Sequence, residues 1–233
     1  MPGSTAYVIL FLGTFLEASV VVCAFRRKIF KRYFFLNLYM FLCVCASLAR
    51  YRILSQEGRT STTYWYFYFY SDLLLTIVLF FGLTSLYAHV LEDLKVERYV
   101  RLGAIVLLAG TAWFSYSVVS QSSTRIFTSF AFELSQNLYF VGLVLTYALW
   151  ATILKMQESR TLLVQLVLSL GVYFSAAAAS YALSNLYPNL YAASAVLIQP
   201  IMGCLLPLSW AYAFWRVPDD ARLMPARLAA VPR

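Results

Sequence analysis

Seven stretches of mostly apolar residues, each about 20 residues long or somewhat more, follow one another along the chain. They lie at roughly 6–25, 34–54, 65–91, 102–120, 130–154, 161–186 and 194–215. An α-helix rises 1.5 Å per residue, so about 20 residues cross the hydrocarbon core of a bilayer. A membrane β-strand needs about half that length and alternates in polarity, and these stretches do neither. In lipid the backbone must be hydrogen-bonded internally, which leaves helices. The sequence therefore predicts an all-α fold, a polytopic membrane bundle of seven transmembrane helices. The linkers are short, so residues 1–216 read as one domain. Residues 217–233, with Pro218, Pro225 and Pro232, read as a flexible cytoplasmic tail.

Composition agrees. Hydrophobic residues make up 62% of the chain, charged residues 12%, and the mean hydropathy is +0.73. A soluble domain carries about twice that share of charge. The bilayer is thus the first expected partner. The net charge of +8 is explained by topology and needs no nucleic acid. With the N-terminus outside, fourteen of the eighteen Lys and Arg residues fall on the inner side, leaving Arg50, Arg52, Arg59 and Arg125 outside. That is the positive-inside pattern, and it places the C-terminus in the cytoplasm. The loop Arg26-Arg27-Lys28-Ile29-Phe30-Lys31-Arg32 is its strongest determinant. This basic cluster follows the first apolar stretch, as expected for a retained helix and not for a cleaved signal peptide. Cys23, Cys43, Cys45 and Cys204 all fall in apolar stretches, so no disulfide framework is expected.

Several chemistries are disfavoured by what the sequence lacks. His89 is the one histidine, which cannot build a zinc hydrolase, a di-iron desaturase or a bis-histidine haem site. No lysine lies inside a predicted span, so no retinal Schiff base is expected. Asp72 is the one membrane-embedded aspartate, where an aspartyl protease needs two, and no phosphate-binding glycine loop occurs. A non-enzymatic protein with no metal and no cofactor is expected.

Ionisable groups inside a membrane are costly and usually face the bundle interior. Glu17 falls near the midplane of the first span. Arg50, Asp72, Asn137 and Gln199 fall roughly 7–10 Å to the outer side of their span centres, with Glu133 one turn beyond Asn137. Their common depth predicts one polar layer, either a structural ion-pair cluster or a pocket for a small polar or amphipathic ligand. Arg50 alone would cost about 2.5–3.5 kcal/mol on insertion scales, which Asp72 or Glu133 would offset. Glu17 is read as a neutral, hydrogen-bonded carboxyl or as a step on a conduction path. The run Tyr64-Trp65-Tyr66-Phe67-Tyr68-Phe69-Tyr70 reads as an outer interfacial belt, with Tyr64 and Tyr68, four apart, as candidates for a pocket mouth. Ser175 to Ser180, with four alanines between, reads as a close helix-packing face. Pro200 and Pro207 favour kinks in the last helix. A three-plus-one-plus-three layout around the fourth helix is conceivable, although no shared motif marks two halves.

The basic loop Arg26–Arg32 and the run Tyr64–Tyr70 followed by Asp72 give the chain a layout that resembles two groups of bacterial proteins. One is the seven-helix sensor modules that precede some histidine kinases and cyclases. The other is small seven-helix proteins with an aromatic run opening the third helix. The resemblance implies a bacterial cytoplasmic (inner) membrane and a receptor-like or accessory role, and it transfers no functional residue. No kinase or cyclase sequence follows the seventh stretch within these 233 residues. A receptor-like protein with a ligand or membrane-protein partner on the outer side is the leading expectation. A small-solute or ion transporter or channel is the second, and a structural subunit of a larger membrane complex the third.

Overall fold

The computed structural model describes residues 4–58, 61–120, 126–156, 160–218 and 221. Among these, seven α-helices and one short 3-10 turn, Glu92–Leu94, occur, and no strand. The helices are α1 Ser4–Arg26, α2 Phe34–Glu57, α3 Thr62–Val90, α4 Glu97–Ser120, α5 Ile126–Met156, α6 Thr161–Leu186 and α7 Pro188–Arg216. Five of them, α2 to α6, are long and apolar enough to cross a membrane. The start of α7 lies six residues before the predicted span because Pro188 sits in the first turn, where its missing N–H costs nothing. The helix runs on through Pro200 and Pro207.

Six helices close a ring in the order α1, α2, α3, α5, α6, α7 and back to α1, while α4 packs outside against α5 and α3. The peripheral place of α4 follows from its surface, where only Ala104, Ser115 and Val119 are buried. Residues facing outward are large and apolar: Trp113 is 75% exposed and Phe15 71%. Such a surface is untenable in water and ordinary in lipid, so the chain is an integral membrane protein by the character of its helices.

Small residues set the closest approaches. The Phe174 ring of α6 lies against the backbone of α5 at Gly142, where a Cβ would collide with it. A Cβ at Gly171 would come within 3.3 Å of Thr146 Cγ2. Hydroxyls on the helices turn back to their own carbonyls, as in Thr76 to Asp72 O (2.8 Å), Thr84 to Phe80 O (2.9 Å) and Ser175 to Gly171 O (2.7 Å). This keeps their polarity off the packing surfaces. Some hydroxyls also serve a neighbour: Asn137 Nδ2 donates to Ser115 Oγ (2.9 Å) and ties α4 to α5.

The end of the bundle that carries the basic α1–α2 turn is interlocked. Arg27 donates through Nη1 to Val217 O (2.8 Å) and through Nη2 to Trp215 O, satisfying the last carbonyls of α7. Arg160 donates to His89 O (2.7 Å) and to Glu92 (3.4 Å), doing the same for α3. Thr161 N donates to Ala221 O (3.0 Å), which pins the start of the tail over α6. Residues 219–220 and 222–233 of the predicted tail lie outside the described residues. At the other end, Gly58 caps α2 with φ +79°, a conformation that suits glycine.

Gly142→Ala is expected to destabilise the protein by about 1–3 kcal/mol through overpacking against Phe174. Gly110→Ala, where a Cβ meets nothing within 4 Å, should be neutral or stabilising by up to about 1 kcal/mol. Thermal unfolding of the two purified variants checks the contrast, and equal effects would refute the close α5–α6 contact.

Candidate functional site

The predicted polar residues separate into two neighbourhoods. Successive residues on a helix point about 100° apart, so equal depth does not bring side chains to the same face. Arg50, Asp72 and Glu17 face the ring interior. Asn137 and Glu133 face α4, on the opposite side of α5. The side chain of Gln199 lies outside the described residues.

Arg50, near the end of α2, is met by α3. Its Nε and Nη2 both reach Ser71 Oγ (3.0 and 2.6 Å), and Nη2 also reaches Tyr68 O (3.3 Å). The Tyr68 ring covers the guanidinium, with Cζ 4.5 Å from the ring centroid. The two-pronged partner is thus the serine preceding Asp72, with an aromatic face added, a cation–π contact that helps a partly desolvated guanidinium. Asp72 and Glu17 stand close enough for their charges to act on Arg50. Glu17 takes a hydrogen bond from Ser47 Oγ (3.4 Å).

Asp72 points toward α5 and α6 instead. Tyr181 Oη donates to its Oδ2 (3.5 Å), and buried Ser135 lies beside it. From Tyr181 a line of buried and half-buried aromatics crosses the ring. Tyr181 lies 5.5 Å from Tyr139 and Tyr139 6.2 Å from Tyr173, between ring centroids. Tyr39 Oη donates to Tyr173 Oη (3.5 Å), and the Tyr39 ring meets Trp210 at 6.2 Å. One turn further along α7, Phe214 packs against Tyr33, and Tyr33 stacks on His89 at 5.4 Å. His89 is thereby an end residue of this line, its Nδ1 donating to Ser85 O (2.7 Å).

The line also extends outward. Phe132 packs edge-on against Tyr181 at 5.5 Å and against Phe69 at 6.3 Å. Phe69 and Phe132 form one wall of a cleft of about 380 Å³ between α3, α4 and α5. Val118 and Val119 of α4 form the facing wall, and Thr128, Ser129 and Glu133 of α5 supply its polar atoms. Of the aromatic run, Phe69 lines this cleft; Tyr68 covers Arg50, and Tyr64 stacks along α3 at 6.4 Å from Tyr68. A second groove, about 440 Å³, runs along the outer face of α5 and α6 beside Tyr147, Trp150 and Ser175.

Sequence reasoning missed Tyr39, Tyr139, Tyr173 and Tyr181, the residues that carry the line from Asp72 across the ring. A partial signal existed: Ser135 and Tyr139 are one turn apart on α5, as are Asp72 and Thr76 on α3, which marks the interior face. Among the described residues no cluster of three or more His, Cys, Asp or Glu stands ready to hold a metal, and the four cysteines are free thiols.

No protein-family model, curated protein or solved structure matches this chain. The functional reading therefore rests on the geometry of these residues.

Removing the Arg50 charge alone, as Arg50→Met, is expected to cost more stability than removing it together with the Asp72 charge, as Arg50→Met with Asp72→Asn. Their coupling in a double-mutant cycle should exceed about 0.5 kcal/mol. Strict additivity in denaturant unfolding would show that the two charges do not balance each other.

Proposed function

We propose that this chain is a receptor-like, non-enzymatic membrane protein. It crosses a bacterial cytoplasmic membrane seven times, with the N-terminus outside and the cytoplasmic side at the basic α1–α2 turn. The positive-inside bias supports the sidedness. In this reading α1 and α7 complete the set of spans, and the cleft opens on the outer half.

A single contact carries the proposal: Phe132, a wall of the cleft, packs on Tyr181, whose hydroxyl holds Asp72. A ligand that displaces Phe132 shifts Tyr181, and a changed Tyr181–Asp72 bond alters the balance that holds Arg50. The buried tyrosines and Trp210 pass the rearrangement to Tyr33 and Phe214, beside the Arg27 clamp on α7. Packed interiors switch between discrete arrangements and do not deform gradually, so a small motion at the cleft can reach the far end.

Two measurements test this reading. In intact cells, a membrane-impermeant maleimide should label Gln56→Cys and spare Lys31→Cys; the reverse pattern would refute the sidedness. In a Cys45→Ala, Cys204→Ala background, a trifluoromethyl tag on Trp215→Cys should show a shifted or split fluorine NMR signal when Tyr181→Phe or Phe132→Ala is added. An unmoved signal in both cases would end the receptor reading.

A specific observation favours transport as the second reading. Glu17, an ionisable side chain on α1, takes a hydrogen bond from Ser47 of α2 (3.4 Å) and stands near the Arg50 charge, the kind of membrane-embedded group that marks solute and proton paths. Solute or proton flux in proteoliposomes that falls on Glu17→Gln would favour it over the receptor reading.

A further inference from the structure

The α3–α4–α5 cleft combines features that select a particular ligand chemistry. One wall is aromatic, Phe69 and Phe132, set nearly perpendicular at 88°. Its other wall is aliphatic, Val118 and Val119. Among the described residues its one charged lining side chain is Glu133, an acid on a protein of net charge +8, with Ser129 one helical turn away on the same face of α5. Val118 is 39% exposed, on a helix whose neighbouring side chains Phe114 and Tyr116 are also exposed. The cleft therefore opens sideways onto the surface that α4 presents to lipid.

A carboxylate beside aromatic faces and hydroxyl oxygens is complementary to an ammonium group. The charge pairs with Glu133, the N–H donors find oxygen acceptors, and the aromatic faces add cation–π attraction. An anion would meet Glu133 unfavourably, and a neutral alcohol would leave that charge unanswered. The valine wall and the sideways opening suit an alkyl chain. We propose that the cleft binds a long-chain alkylammonium amphiphile that enters from the lipid phase, with Glu133 as its counter-charge. This rests on the receptor reading for its sidedness and its consequence.

The test uses the full chain in nanodiscs of neutral lipid and a dodecylamine carrying a photoreactive diazirine in its chain. After illumination, adducts mapped by mass spectrometry should concentrate on Val118, Val119 and Phe69. Glu133→Gln should lower that labelling at least about tenfold, the effect of losing a charge-assisted contact. The matching diazirine alcohol should label the cleft only weakly and should not respond to Glu133→Gln. Unlabelled dodecylamine should compete, and ethanolamine at equal concentration should not.

Equal labelling by amine and alcohol would overturn the proposal, as would labelling unaffected by Glu133→Gln or adducts spread evenly over the lipid-facing helices. Competition by ethanolamine would refute the part assigned to the valine wall. Should Glu133→Gln fail to fold, Val118→Trp fills the cleft while keeping the charge, and persistent labelling of that variant would equally overturn the site. Amine labelling that leaves the Trp215→Cys fluorine signal unmoved would refute the receptor reading and uphold the site. A cleft that takes no amine refutes the site alone.

Discussion

A polar group that leaves water for lipid gains by finding its partner inside the protein, and this constraint organises much of the bundle, although Asn37 Oδ1, Ser135 Oγ, Gln165 Oε1 and Trp210 Nε1 are buried without a hydrogen bond among the described residues. Hydroxyls such as those of Thr76 and Thr84 are answered one turn back on their own helices. Asn137 is answered across helices by Ser115, a bond that adds to the apolar packing of α4 on α3 and α5. Arg50 is the most demanding case, and it draws on three kinds of partner at once: the Ser71 hydroxyl, the Tyr68 carbonyl and the Tyr68 ring. Each is short-range, so Arg50 can stand near Asp72 and Glu17 without a direct ion pair to either. That leaves Asp72 available to α5 and α6, and the polar interior becomes a network that spans the ring instead of a closed pair.

Helix identity was legible in the sequence because length and hydropathy are one-dimensional properties. All seven helices lie where the apolar stretches predicted, with ends differing by a few residues and most at α7, where Pro188 opens the helix early. Where Arg50 and Asp72 sit along their helices follows from the fixed rise per residue. Facing direction was not legible. These helices are hydrophobic nearly all round, so no apolar stripe marks which side meets the ring and which meets lipid. Asp72 and Asn137 share a depth yet point into different neighbourhoods, and only the packing of α3, α5 and α4 separates them.

The tyrosines were hidden for a related reason. An abundance of Tyr and Phe in a membrane protein reads naturally as interfacial belts, and Trp65, Tyr66 and Tyr70 do remain exposed at one end of α3. Yet a tyrosine also suits a membrane interior, because one side chain supplies both an apolar ring and a hydroxyl that can bond to another hydroxyl. Tyr39 and Tyr173 use each other in this way. Side-chain type alone does not distinguish Tyr66 from Tyr173. The distinction comes from position along the helix and from the small residues that let α5 and α6 approach, above all Gly142 under Phe174.

Close packing at Gly142 bears on how a membrane bundle can carry a signal without a water-filled channel. Where α5 and α6 are locked by Phe174, their relative slide is blocked at that level, and rearrangement must pass through side-chain rotation. Tyr139 packs on Phe174, Tyr173 and Tyr181 together, so it occupies the junction between the locked segment and the segment beside the cleft. A bundle whose interior were filled only with leucine would offer many near-equivalent packings and no defined alternative. Hydrogen-bonded tyrosines restrict the choice to arrangements in which each hydroxyl still has a partner, because leaving one unmet in the interior costs about 1–3 kcal/mol. The requirement that gives the folded state its uniqueness thereby also defines the few other states into which it can move.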